Sequence, residues 1–113
     1  MTGLGRDDRV VTCTIVRGEI LFGTGKLPEG KRRAELEAAG HQFLASLRCE
    51  PVPERAGDFY AAVKLARQQC GLGLHENDLW VAATALALGA TLVSRDTDFA
   101  GIQGLSVVAL DQM

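Results

Sequence analysis

A chain of 113 residues with 47% hydrophobic content is long enough for one compact domain and too short for two of ordinary size. Its formal charge of −2 at pH 7 sets up no general field that would draw in a polyanion, so any contact with nucleic acid has to come from a local patch. No apolar run reaches the length of a membrane span, and the opening MTGLGRDDR lacks the apolar core of a secretory signal. These features lead to the expectation of a soluble, cytoplasmic protein with no membrane partner. Cys13, Cys49 and Cys70 are widely spaced and form no CxxC pair, which fits reduced thiols better than a zinc or redox site.

Along the chain, element types alternate. RVVTCTIV is rich in β-branched residues and reads as a strand, followed by RGEILFG as a short helix or tight turn closed by Gly23. From Pro28 to Leu47 the apolar positions Leu36, Ala39, Phe43, Leu44 and Leu47 recur at helical spacing, with Lys31, Arg32, Arg33, Glu35 and Glu37 on the remaining face. CEPVP is expected to be extended, since each proline pushes its predecessor out of helical geometry. A further helix carries the stripe Ala56, Phe59, Tyr60, Val63, Ala66, Arg67 and Cys70 before GLG ends it. In HENDLWVAATALALGATLVSRD, Asn77 or a neighbour caps a helix whose inward residues are Leu79, Ala82, Ala83 and Leu86. Gly89 ends that helix, TLVS enters the sheet as a fully buried strand, and LSVVAL supplies the last one. Strands separated by helices predict a mostly parallel sheet flanked by helices.

In such sheets ligands collect at the carboxyl ends of the strands. Glu19 follows the first strand, Asp96 and Asp98 follow LVS, and Asp78 opens the helix between them, so these acids are candidates to meet in space. Each also has an ordinary reading. Asp78 in a first turn complements the helix dipole, Glu19 in a loop is solvated, and Asp98 stabilises a turn. Convergence is what favours function, because carboxylates gathered at one sheet edge repel one another unless a cation sits among them. Hard oxygen donors of this kind suit magnesium or manganese. Arg17 and Arg95, beside these acids, either steady a carboxylate, meet a phosphate, or are plain surface charge. Lys26, Lys31, Arg32 and Arg33 form either a phosphate-contacting cluster or a solvated face. His41 and His75 have no partner at ligand spacing, and Trp80 is expected to pack in the core. The GTGK in FGTGKLPEG lacks the spacing of a phosphate loop.

Taken together, TIVRGEILFG, ENDLWVAATALALGATLVSRDTDF and IQGLSVVAL resemble a PIN domain, of the kind found in VapC-type toxins of bacterial toxin–antitoxin pairs. The resemblance implies a three-layer α/β domain and a metal-dependent endoribonuclease that hydrolyses RNA phosphodiesters with Mg2+ or Mn2+. It also implies a cognate antitoxin and a homodimer. Glu19, Asp78 and Asp96 occupy the family's acidic positions, as catalytic residues and metal ligands, with Asp98 a peripheral metal ligand. Arg17 and Arg95 would then be the nucleic-acid contacts.

PIN domains also open with a buried strand ending in LLDTN or similar, whose aspartate is a central ligand. MTGLGRDD offers no apolar run ahead of Asp7 or Asp8 that would make such a strand. The expectation is therefore a single PIN-like domain over residues 1–113 that is N-terminally truncated. Beside the active nuclease stands a second reading, a catalytically impaired remnant that keeps only partner binding, to antitoxin or to itself.

Overall fold

A computed structural model describes residues 11–94 and 99–109, which fall into two units: Val10–Val52, and the described residues from Pro53 onward. Asp7, Asp8, Arg95, Asp96 and Asp98 lie outside the described residues.

In the first unit the strand β1, Val11–Cys13, stops at Thr14, where the chain turns into helix α1, Thr14–Gly25. The β-branched run Thr14, Ile15 and Val16 is thus helical where a strand was expected, a case of packing overriding weak propensity. Helix α2, Lys31–Ala45, follows, and β2, Arg48–Glu50, returns parallel to β1 with Val11 opposite Arg48 and Cys13 opposite Glu50. α1 approaches α2 closely at Gly40, where an added Cβ would stand 3.4 Å from Ile20 Cγ2.

The inward face of α2 differs from the expected stripe. Leu44 is buried and Arg33, Glu37, Gly40 and Leu47 are half-buried, whereas Leu36, Ala39 and Phe43 are exposed, Phe43 to 54%. With 3.6 residues per turn, positions 33, 37, 40, 44 and 47 form one continuous stripe, and the apolar residues sit along its flank. Arg33 remains on the inward face because its guanidinium is paired, with Glu37 at 3.2 Å and the carbonyl of Leu27 at 3.3 Å.

The second unit begins with α3, Arg55–Gln69. Its end is closed by Gly71 at φ 71°, with Leu72 N–H donating to the Arg67 carbonyl and Gly71 N–H to that of Gln68. Ala56 and Val63 of the expected stripe are buried and Phe59, Tyr60 and Arg67 are half-buried, but Ala66 and Cys70 are exposed. Helix α4, Glu76–Leu88, is buried on most of its circumference. Its run of small residues, Ala82, Ala83, Thr84, Ala85 and Ala87, is what permits this. Gly89 ends it in the left-handed conformation at φ 63°, with Ala90 N–H on the Ala85 carbonyl.

Strands β3, Leu92–Ser94, and β4, Val107–Ala109, pair in parallel, Leu92 opposite Val107. Leu92 and Val93 are half-buried, not fully buried as expected. The core of this unit joins Val63, Leu79, Ala82, Phe99 and Ile102, with Tyr60, Leu74, Leu86, Leu92 and Leu105 packed against it. Burying Leu79 and Phe99 alone stabilises by about 1.5–3 kcal/mol each. The class is α/β with parallel pairing, as the alternation of elements predicts. Among the described residues no helix is long and apolar enough to cross a membrane. Cys13, Cys49 and Cys70 are free thiols.

Candidate functional site

Asp78 lies in the first turn of α4, half-buried, between the buried Leu79 and the exposed Asn77. The helix starts here because His75 caps it: His75 Nδ1 accepts from the Asn77 N–H at 3.4 Å, and Leu79 N–H donates to the His75 carbonyl at 2.9 Å. The cap is thus His75, a near neighbour of Asn77. Glu76 and Asp78 both sit in that first turn, where the free N–H groups favour negative charge.

Glu76 is the polar anchor of the turn. Tyr60 on α3 donates its phenol to Glu76 Oε1, and Lys64 Nζ lies 2.9 Å from Glu76 Oε2 and 3.0 Å from the Tyr60 oxygen. The Tyr60 hydrogen bond first, and then that of Lys64, hold the Glu76 carboxyl below its ordinary 4.5. The Tyr60 hydrogen bond first, and then that of Glu76, raise the Lys64 ammonium above 10.5. Lys64 also stands 5.3 Å from the centre of the Tyr60 ring, whose own stacking partner is Trp80, 4.1 Å away and inclined by 10°. Trp80 is accordingly half-buried in a stack and not sealed in the core. Neither Tyr60, Lys64 nor Glu76 was singled out from the sequence as a site residue. The signal was their spacing, Tyr60/Lys64 and Glu76/Trp80 each four apart, which becomes legible only once α3 is known to pack on α4.

Glu19 is exposed and lies within α1, the helical one of the two readings of RGEILFG, and that helix runs on past Gly23 to Gly25. Arg17 is exposed on the same helix. Glu19 belongs to the first unit and Asp78 to the second. Lys26, Lys31 and Arg32 are exposed; Lys26 stands over the Phe22 ring at 5.5 Å, and Lys31 pairs loosely with Glu35 at 3.9 Å. His41 is exposed.

The candidate donors are carboxylates, a chemistry that fits a hard divalent cation and not zinc or copper. Among the described residues no three His, Cys, Asp or Glu side chains gather into a group able to hold a metal. Glu19 and Asp78 are the candidate acids among the described residues, and Asp96 and Asp98 are outside them. A cavity of about 100 Å³ opens beside the start of α4, lined by Lys64, Arg67, Leu72, Leu74, Glu76 and Leu79 among others; Asp78 does not line it.

The PIN domain family matches residues 3–105. Ribonuclease VapC5 of Mycobacterium tuberculosis is 27% identical over 103 residues, which make up 91% of this chain and 76% of that protein. The structure of VapBC2 from Rickettsia felis, bound to a DNA fragment from its promoter, is 25% identical with a TM-score of 0.81, over 92% of this chain and 77% of that one. VapBC-1 from nontypeable Haemophilus influenzae is 22% identical with a TM-score of 0.80, over 96% of this chain and 79% of that one, a likeness of fold.

Proposed function

The chain belongs to the PIN-domain family, and from that premise we propose that it is a metal-dependent endoribonuclease toxin of a type II toxin–antitoxin system, hydrolysing RNA phosphodiester bonds. The observation that carries the reading is Asp78, half-buried in the first turn of α4 within the stretch the family matches. The kinship with a VapC ribonuclease and with VapBC complexes supports the nuclease activity and a cognate antitoxin as partner. One domain over residues 1–113 and a homodimer are part of the same reading. Exposed Leu36 and Phe43 on α2 supply apolar surface for self-association.

Glu19, Asp78 and Asp96 would hold Mg2+ or Mn2+, with Asp98 at the periphery. When bound, the cation supplies positive charge at the scissile phosphate and acidifies the attacking water. The carboxylates orient it, and Arg17 and Arg95 bind RNA phosphate without reading sequence. No side-chain nucleophile is needed.

The test is RNA cleavage by the purified chain in magnesium. Cleavage that stops with EDTA and is lost in Asp78→Asn supports the reading. A folded chain that cuts no RNA under any divalent metal overturns it and leaves partner binding as the retained property.

A further inference from the structure

We infer that Tyr60 is a positioning residue for Asp78, acting with Lys64 to fix the rotation of the first turn of α4. The inference rests on the reading of Asp78 as a metal-holding carboxylate.

On a helix of 3.6 residues per turn, side chains two apart are separated by roughly 200° and never share a face. Glu76 and Asp78 are two apart, so whatever holds Glu76 toward α3 turns Asp78 away from α3. Glu76 and Trp80 are four apart and share the α3-facing side, where Tyr60 meets both. Its hydroxyl donates to the Glu76 carboxylate and its ring stacks on Trp80 at 4.1 Å. Lys64, one turn further along α3, closes the triangle with 3.0 Å to the phenol oxygen and 2.9 Å to Glu76.

Two residues of α3 thus grip two residues of α4 through a polar contact and an aromatic contact one helical turn apart. The first turn of a helix opens at low free-energy cost, and two contacts along the axis hold it more firmly than one. The aromatic contact alone anchors Trp80, beyond Asp78. The polar contact anchors Glu76, ahead of it. Asp78 lies between the two anchors, beside the buried Leu79, so the anchors and that packing together set its azimuth. The grip is built from neutral and paired groups, so it adds no unpaired charge to the neighbourhood of a carboxylate whose task is to hold a cation.

Tyr60→Phe separates the two anchors, since it keeps the ring on Trp80 and removes the hydroxyl. Two measurements on the full chain read the result. The first is amide exchange at Leu79, whose N–H closes the first turn on the His75 carbonyl. It should quicken about tenfold in Tyr60→Phe while Ala82 and Ala83, deeper in α4, keep their protection. The second is Mn2+ affinity, followed by quenching of Trp80, the chain's single tryptophan. It should fall about tenfold, at the low end of what supporting partners of a metal ligand contribute. Lys64→Arg, which keeps a cationic donor, should stay near the wild type, and Lys64→Met should follow Tyr60→Phe.

A wild type that binds Mn2+ beside a Tyr60→Phe variant with unchanged affinity overturns the inference alone. So does a loss of affinity accompanied by equally quickened exchange at Ala82 and Ala83, which marks general loosening. A wild type that takes up no Mn2+ overturns the metal reading of Asp78, and the inference falls with it.

Discussion

Tyr60 and Trp80 lie face to face, their ring centres 4.1 Å apart and their planes 10° from parallel, and they join α3 to the start of α4. Such a pair contributes about 0.5–1.5 kcal/mol beyond the area it buries. Both rings are half-buried, so truncating one costs less than emptying a closed core site. Tyr60→Ala should lower the unfolding free energy by about 2–3 kcal/mol, below the 3–5 of a fully buried aromatic. Urea denaturation measures it, and a loss under half a kilocalorie would show that the stack contributes little.

The polar half of the same contact gives stability a pH dependence with a definite sign. The Glu76 carboxyl is held below 4.5 in the folded chain, so its contribution is complete above that value and fades as pH falls through the lower folded one. Lys64 is raised above 10.5, so its contribution is complete below that value and fades as pH rises through the higher folded one. Both are present together at neutral pH. Thermal melts should therefore show Glu76→Gln less stable than the wild type at neutral pH, with the gap closing as pH falls through the lowered folded value. Both side chains are substantially exposed, so high salt at neutral pH should narrow the gap as well.

Two glycines should respond to alanine with opposite signs. Gly23 lies inside α1 with open space where a Cβ would go, so Gly23→Ala gains helix propensity of about 0.5–1 kcal/mol. Gly89 also has room for a Cβ, but its φ of 63° is the left-handed region. Gly89→Ala should cost about 1–2 kcal/mol through backbone conformation alone. Matching signs in the two melting temperatures would contradict this account.

The parallel pairing, the helix over 76–88 and its glycine stop were legible because local signals agreed: small apolar residues in a block, a capped start, and Gly89 at the end. The facing of α2 was not. Its apolar residues Leu36, Ala39, Phe43, Leu44 and Leu47 read as one stripe, whereas the packed stripe keeps Leu44 and Leu47 and runs through Arg33, Glu37 and Gly40 in place of the other three. Arg33 takes an inward position through its pairing with Glu37 and the Leu27 carbonyl, which a hydrophobic pattern does not register. The start of α1 was misread for a related reason. Thr14, Ile15 and Val16 carry strand propensity, yet they pack as the first turn of a helix, so RGEILFG is helical and Glu19 stands on its exposed face. Of the candidate acids, Asp78 was placed by its cap signal at the start of α4. Its support from Tyr60 and Lys64 depends on contacts between helices that no local pattern encodes.

The remaining prediction concerns Glu19 and Asp78, which stand in different units and are proposed to share one cation. Carboxylates at a single site repel one another, and a divalent ion among them offsets that repulsion, so binding at either should draw on both. Paramagnetic Mn2+ reports this directly, since it broadens the resonances of nuclei near it whether or not any RNA is cut. Titration of the labelled chain should broaden the amide signals around Glu19 and around Asp78 together, at the same Mn2+ concentration. Asp78→Asn should weaken the broadening at both places, because it removes a ligand and a unit of negative charge from an oxygen-only site whose affinity depends on each. Magnesium added in excess should reverse it. Broadening around Asp78 that leaves Glu19 untouched would show that the two acids do not meet around a cation.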